Sequence, residues 1–385
     1  MHHDVVVVGG GPAGSRTAAA LAKYHDVLVI EEHSRVGEPV QCAGLITEKS
    51  IELSGIRPEI LNRFTGANVI FPNGNIVTVA SADTKAVMID RSDFDMKLYE
   101  KAVDSGAEYV FSNRYTSHSA SDGIVTVRTE NGDYGSRLLI GADGHSSRVA
   151  MAIPDNGPKE YIRGIEYDVR HRMDDQDTIN IRIGTDIAPG LFSWEAPFGE
   201  YTRVGLCATW SEGLPIDFMK VLLKRSGLED CEVVKRYCGK VPIGRRRRTY
   251  ADNLMLIGDA ASQVKPISAG GIYPAMMCVD PLCQTAEEAL SSGDLSERSL
   301  SRYEKRWSKS VGKELDRAYR LRKIYVKFNN DDMDAIYPYM AKKSVNDALN
   351  TVDIDNPSVS ASMALRNIPT AMKVLSIALR AKGRK

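Results

Sequence analysis

Asp4-Val5-Val6-Val7-Val8-Gly9-Gly10-Gly11-Pro12-Ala13-Gly14 stands at the head of the chain, and Glu31 follows it. The four valines form an apolar, β-branched run, as a parallel strand buried on both faces requires. Gly9, Gly11 and Gly14 then fall in a G-x-G-x-x-G frame. Gly9 permits the tight turn, and Gly11 removes the side chain where the backbone must approach a pyrophosphate. Gly14 lets the next helix lie close to the strand. The N-terminus of that helix offers free N–H groups to phosphates. Ala18, Ala19, Leu21 and Ala22 supply a small-residue face for packing on a sheet. Val27-Leu28-Val29-Ile30 is a second buried strand, and Glu31 at its end can accept hydrogen bonds from an adenosine ribose. Strand, glycine frame, helix and acid together predict dinucleotide binding. The motif alone does not choose between FAD and NAD.

Composition narrows the classes. At 385 residues the chain is long enough for two or three structural units. Lys+Arg and Asp+Glu are both 50, so no global charge bias points to nucleic acid. Gly9 lies so near Met1 that no signal or transit peptide is expected, and no apolar run reaches the length of a membrane span. Cys42, Cys207, Cys231, Cys238, Cys278 and Cys283 include no C-x-x-C pair. That argues against a cysteine-held iron–sulfur cluster or zinc, predicts no metal site and fits a cytoplasmic location.

Outward from the glycine frame, the loop over residues 32–47 is too long for a plain turn. Its Cys42 reads either as a small buried hydrophobe or as a thiol held against a flavin ring. Residues 67–79 form a hairpin about Pro72-Asn73-Gly74-Asn75. Ile89-Asp90-Arg91-Ser92 opens a helix to about Ser105 with Asp90 or Ser92 as cap. Further strands cover 124–127 and 136–140, the latter ending in Gly141-Ala142-Asp143-Gly144, a second ribose- or phosphate-facing turn. From about 160 to 240 alternating strands predict a mainly antiparallel sheet. Phe192 and Trp194 there share one face. Arg245-Arg246-Arg247-Arg248 reads as a solvated face or an attractor for anions. Residues 253–261 are the last buried parallel strand, running into Gly258-Asp259 and a second glycine-rich turn at Gly270-Gly271 before a helix. Tyr303, Trp307, Val311 and Leu315 recur every four residues. Residues 356–385 carry Arg366, Lys373, Arg380, Lys382, Arg384 and Lys385 and no acid. With Ile368, Met372, Leu375 and Leu379 on one face, this segment is either a docked helix or one lying on an anionic membrane.

The three separated signals, Gly9/Gly11/Gly14 with Glu31, Ala142-Asp143-Gly144 and Gly258-Asp259-Ala260, resemble the FAD-binding set of para-hydroxybenzoate-hydroxylase-like flavoproteins. The resemblance reaches to about residue 290 and selects FAD. No second dinucleotide frame is present, so no NAD(P)H domain is expected. Within that class the chain resembles the geranylgeranyl reductase family, through Gln41-Cys42-Ala43-Gly44, Ile89-Asp90-Arg91-Ser92-Asp93-Phe94-Asp95, Phe192-x-Trp194-x-x-Pro197, and Gly258-Asp259-Ala260-Ala261 followed by Pro266 and Gly270-Gly271-Ile272. The implied fold is α/β: an FAD-binding Rossmann-like domain (1–65, 90–155 and 250–295) interleaved with a mainly antiparallel-sheet substrate domain (66–89 and 156–249), plus a C-terminal helical region (296–385).

By the resemblance, Ala13 and Glu31 hold the adenosine half of FAD, and Cys42, Ala43 and Leu45 lie near the flavin. Arg91 and Asp259 contact the ribityl–pyrophosphate region, Gly271 and Ile272 abut the isoalloxazine, and Phe192 and Trp194, with Pro197 in their motif, line a prenyl-chain tunnel. Ala196 stands where the family commonly has an aromatic, which suggests a wider pocket or an altered chain-length preference. Ala269 replaces the first of three glycines, and Pro281 is expected to kink or break the following helix.

The implied activity is reduction of C=C bonds in geranylgeranyl chains of membrane ether lipids or prenyl diphosphates. Cys42 and Tyr273 are the candidate proton sources. The implied electron donor is a reduced ferredoxin-like protein or another low-potential carrier. Peripheral contact with the inner face of the cell membrane would run through the basic C-terminus. The alternatives are an oxygen-using monooxygenase or halogenase, whose W-x-W-x-I-P stretch Phe192-Ser193-Trp194-Glu195-Ala196-Pro197 matches in part, and a dehydrogenase passing electrons to a protein acceptor.

Overall fold

Alternate valines of the first strand face two different cores. Val5 and Val7 pack with Ala18, Leu21, Tyr303 and Trp307, whereas Val6 and Val8 pack with Leu139, Val149 and Leu256. That two-sided burial explains the unbroken valine run. The computed structural model describes all residues except 1, 155, 352, 357, 359–365, 367 and 383–385, so Arg384 and Lys385 of the basic tail lie outside the described residues. The strand His2–Val8 runs parallel to Val27–Ile30 on one side and Gly132–Gly141 on the other. Glu108–Val110 and Leu254–Leu256 extend the parallel sheet, and Tyr115–Ser121 and Ile124–Thr129 add an antiparallel flap. The helix Pro12–Leu21 covers one face.

A second sheet of seven strands runs in the order Val233–Ile243, Glu160–Val169, Tyr201–Thr209, Ser193–Phe198, Thr178–Arg182, Gly66–Ile70, Ile76–Ala80. All its pairs are antiparallel except Thr178–Arg182 with Gly66–Ile70. The hairpin expected about Pro72-Asn73-Gly74 is the outer edge of this sheet. Residues 86–89 do not join it. They pair with Leu45–Ile46 and Ile60–Phe64 in a small third sheet. Strand Val233–Ile243 escapes sequence reading because Lys235, Arg236, Gly239, Lys240 and Pro242 interrupt its alternation.

The four-residue repeat of Tyr303, Trp307, Val311 and Leu315 is fully buried, at 0, 0, 4 and 2 % exposure. An α-helix turns about 40° too far per four residues, so such a stripe should drift off the core face. The backbone corrects this with a π-helical turn at Ser308–Gly312 between Glu297–Trp307 and Lys313–Tyr325. Gly312 sits within that turn, where a methyl group would lie 3.1 Å from the Trp307 ring.

Two expectations are corrected. The helix Ile272–Ser292 runs through Pro281 without a break. Its neighbours Cys278, Val279, Leu282 and Cys283 are all in the main core, and that burial outweighs the lost hydrogen bond. The arginine run is split: Arg245 and Arg246 are drawn into the fold, whereas Arg247 and Arg248 stay exposed. Arg246 is buried and donates to the carbonyls of Asn156 and Ala260. Arg245 pairs with Asp316 and lies over the Trp307 ring, and Arg248 pairs with Glu297. Trp307 also donates to Thr249 Oγ1 at 3.1 Å. Trp307→Ala is expected to cost about 3–5 kcal/mol, read as a lower denaturant midpoint of the purified protein.

Candidate functional site

The glycine frame leaves a cradle whose shape is enforced by backbone contact. A Cβ on Gly14 would lie 1.9 Å from the Gly9 carbonyl oxygen, and one on Gly9, which has φ +101°, would lie 2.4 Å from the Ala142 oxygen. A Cβ on Gly11 would meet nothing within 4 Å and would point into open space. Helix and strand turn are therefore pressed together, while the first turn of the helix faces an open cleft. The cleft has a volume of about 610 Å³.

At one end of the cleft Glu31, nearly buried, accepts from Gly10 N at 2.7 Å, and from His33 N at 2.9 Å. His33 Nδ1 lies 2.7 Å from the same carboxylate. These bonds fix the carboxylate at the strand end. In the adjoining turn, Asp143 accepts from Ser147 Oγ at 2.6 Å and Val149 N at 3.1 Å. Burial raises its pKa, and these bonds oppose the rise.

Farther along, Asp90 caps the helix Arg91–Asp104 by accepting from Ser92 N and Asp93 N. This places Arg91 at the first helical position, where Asp95 one turn on takes its guanidinium in three contacts of 3.0–3.1 Å. Burial works against the Arg91 charge, but Asp95 and then the Cys42 sulfur outweigh it and raise its pKa. Cys42 thus lies near the guanidinium. The Asp259 carboxyl is pushed up to about 6 by burial, with Arg91 pulling it down. A Cβ on Gly271 would lie 2.8 Å from Asp259 Oδ1. Ala269 adopts φ +58°, the left-handed conformation a glycine takes freely, so its backbone follows the turn despite the side chain.

The cleft brings together Gly9, Gly11, Ala13, Glu31, Cys42, Arg91, Asp143, Gly258, Asp259, Gly271 and Ile272. Gly14 lies beneath it as packing. Tyr273 does not line it. This half-buried side chain lies beside Lys265, with Asp355 and Asp353 adding to the burial that raises its pKa. Ala43 presents its carbonyl to Arg203 Nη1 at 2.8 Å, and Leu45 packs beside Trp194.

Phe192 and Trp194 do share a face, with ring centroids 6.1 Å apart. They cluster with Val264 and Ala269, on the approach to the Gly270-Gly271 turn. Pro197 belongs to the opposite face of the same strand, and its carbonyl accepts from Asn62. Ala196 is fully buried with Phe64, Met88 and Ile179. Sequence reading missed Arg203, Asp168 and Glu166, which come from two strands of ordinary pattern. It also gave Asp95 no role, although its four-residue spacing from Arg91 was a visible signal.

These residues fit FAD. One acid sits at the ribose end, bare helix N–H groups line the middle, and an arginine, a thiol and a glycine turn close the far end. Asp259 gives a test with a definite sign. Its folded pKa lies above the ordinary 3.8, so between about 4 and about 6 the folded state binds more protons than the unfolded. Stability falls as pH rises through that window, by on the order of 1–3 kcal/mol at neutrality. Asp259→Asn is expected to raise the Tm of the FAD-free protein at neutral pH, flatten that pH dependence and weaken FAD retention. Thermal unfolding across pH and flavin content after gel filtration check both.

Comparison with known proteins agrees with this geometry. The FAD binding domain family matches residues 2–196. Digeranylgeranylglycerophospholipid reductase 2 of Methanopyrus kandleri is 32 % identical over 369 residues, covering 90 % of this chain and 92 % of the relative. A geranylgeranyl bacteriochlorophyll reductase-like protein from Thermoplasma acidophilum superposes with a TM-score of 0.84 at 23 % identity, over 98 % of this chain and 99 % of the other. The flavin-dependent brominase Bmp2 superposes with a TM-score of 0.71 at 17 % identity over 100 % of both chains, a likeness of fold alone. With a glycine cradle and a near full-length match of this kind, the chain belongs to the digeranylgeranylglycerophospholipid reductase family of FAD-binding proteins.

Proposed function

We propose that the protein is an FAD-dependent reductase that saturates C=C bonds in geranylgeranyl chains of ether lipids of the digeranylgeranylglycerophospholipid type. The observation that carries this reading is the junction of the cleft with an apolar, aromatic sheet face. Arg91, Cys42, Asp259 and the Gly271 turn close the far end of the cleft. Phe192, Trp194, Leu191 and Ile162 pack against Val264 and Ala269 beside it. An isoprenoid alkene needs such a dry surface next to the cofactor, because it offers no polar handle to bind.

Bound FAD supplies the two-electron chemistry, delivering a hydride once reduced. The chain's own residues bind, orient and exclude water. Glu31 holds the ribose end, the uncapped helix at Gly11 faces the pyrophosphate, and Arg91 with Asp259 fixes the ribityl region. An isolated trisubstituted alkene is unactivated, so holding it in a near-attack arrangement supplies much of the rate. The resemblance of the Phe192-x-Trp194 stretch to the family's Trp motif supports a role for both aromatics along the prenyl chain. The electron donor we infer is a ferredoxin-like protein or other low-potential carrier, since no second dinucleotide frame occurs in the sequence.

The C-terminal helix Ile368–Lys382 supports contact with a membrane surface. Ile377 and Ala381 are buried against Phe328 and Met333. On the opposite side Met372, Leu375 and Leu379 are 67, 60 and 59 % exposed. Lys373 and Arg380 flank that stripe, and residues 356–385 contain no acid. An outward apolar stripe with only basic neighbours matches an anionic bilayer. No helix among the described residues is long and apolar enough to cross one.

Two measurements check these readings. Anaerobic, fully reduced protein mixed with a geranylgeranyl ether lipid is expected to regain oxidised-flavin absorbance, with lipid mass rising by about two hydrogens per bond. Flavin that stays reduced until air enters, with lipid unchanged, would turn the reading to oxygen chemistry of the halogenase kind. In vesicle flotation, the protein is expected to float with anionic vesicles, and Met372→Glu/Leu375→Glu/Leu379→Glu to remain at the bottom while keeping its FAD. Equal flotation of both would remove the helix from membrane contact.

A further inference from the structure

We propose that Glu166 is the proton donor of the reaction, supplying the alkene carbon that does not take the hydride. The inference rests on the reductase reading above and adds an acid on the aromatic sheet face to the candidates Cys42 and Tyr273.

The strand registers build its surroundings. Gly164 lies opposite Cys207 and Gly239, and Glu166 lies opposite Gly205 and Tyr237. Trp194 also lies opposite Gly205. Directly opposed residues share a face, so Gly164, Gly205 and Gly239 make a bare floor on the face that carries Trp194. The indole lies across Gly205, where a Cβ would be 2.3 Å from its ring. The same floor receives the flavin-side loop: a Cβ on Gly239 would lie 3.4 Å from the Gln41 carbonyl oxygen. Glu166 stands on this face beside the Trp194 indole, 5 % exposed.

Its hydrogen bonding is incomplete. Oε2 accepts from Trp194 Nε1 at 3.2 Å, while Oε1 is buried with no hydrogen-bond partner. Arg203 Nε is 3.7 Å from Oε1, within ion-pair reach but beyond a hydrogen bond. That guanidinium is committed elsewhere. It holds Asp168 through two bonds of 2.7 and 2.9 Å and donates its third arm to Ala43 O. Tyr237 Oη donates to Asp168 as well, at 3.0 Å. Two buried acids thus share one cation, and Asp168 has it.

A buried carboxyl in that position holds its proton more tightly than a free one. Burial pushes Glu166 up to about 7, Asp168 adds to the rise, and Arg203 and the Trp194 bond oppose it. Among its neighbours, Cys207 is pushed up to about 12 by burial and by Glu166, too high to donate at neutral pH. Burial raises Tyr237 as well. A donor near neutrality is the efficient one. The step balances: the C=C π bond breaks, and one carbon gains a hydride from the reduced cofactor. The other carbon gains the Glu166 proton, and solvent reprotonates the carboxylate afterwards. The two electrons come from the low-potential donor that reduced the cofactor.

The test has two parts. In FAD-free protein, infrared titration is expected to show a carboxylic-acid band appearing from about pH 8 to about pH 6 that Glu166→Gln lacks. In anaerobic single turnover with a geranylgeranyl ether lipid, Glu166→Gln is expected to reoxidise about 10²–10⁴-fold more slowly with normal FAD content, and Glu166→Asp to recover part of the rate. Should Glu166→Gln not fold, Trp194→Phe serves. Loss of the indole donor must move the infrared band and the descending limb of the wild-type rate profile to higher pH. A missing band, an unshifted limb, or a Glu166→Gln variant within about threefold of wild type overturns the donor role. A wild-type protein that leaves the lipid unchanged overturns the reductase reading itself, whatever the band shows.

Discussion

The contact on which the architecture depends is backbone against backbone: the Gly14 Cα pressed to the Gly9 carbonyl. A methyl at residue 14 would sit 1.9 Å from that oxygen, so no side chain fits. The contact fixes where the helix Pro12–Leu21 begins relative to the end of strand His2–Val8. It points the first helical N–H groups at the cleft rather than at the sheet. Ser15 secures the same turn by donating from Oγ to the Gly10 carbonyl at 2.7 Å, and its backbone N–H bonds Gly11 O. The rest of the cleft is built outward from that corner. Glu31 is tied to Gly10 N, and Gly258 approaches Ala13.

A second constraint ties the seven-stranded sheet to the cleft. Arg203 rises from that sheet, grips Asp168 on the neighbouring strand and reaches the Ala43 carbonyl beside Cys42. A single guanidinium thus sets the distance between the aromatic sheet face and the end of the cleft. A guanidinium suits this task because its planar fork serves a carboxylate and a carbonyl at once, and it never loses its charge. Lys265 does comparable work nearer the C-terminus. It pairs with the buried Asp355, which also accepts from Thr47 at the start of helix Glu48–Ser54. Residues distant in sequence are locked around the turn that leads to Gly271.

What the sequence revealed and what it hid divide on physical lines. Backbone requirements are legible because glycine has few substitutes: Gly9, Gly11 and Gly14 announce the cradle in the sequence itself. Two-faced burial is legible in the valine run, and the recurrence of Tyr303, Trp307, Val311 and Leu315 every four residues is visible, although its complete burial is seen only in the fold. The π-turn that keeps the stripe in register was not legible, since Ser308 to Gly312 has no unusual composition. Charge was the least readable property. Arg245 to Arg248 looks like surface, yet partners more than fifty residues away in Asp316 and Asn156 bury or pin most of it. Glu166 and Arg203 carry no local signal, because their meaning comes from strand register across the sheet.

Register also explains the residue that departs from the family's motif. Ala196 lies opposite Arg203 on the face shared with Asp168 and Trp194. An aromatic side chain there would occupy the space between Phe198 and Arg203, whose guanidinium now lies 5.1 Å from the Phe198 ring. The small residue therefore leaves the arginine room to turn toward Asp168 and the Ala43 carbonyl. On this geometry the alanine is the gap through which one charged side chain couples the aromatic face to the loop that bears Cys42, and Glu166 is the acid that shares that cation without a hydrogen bond to it.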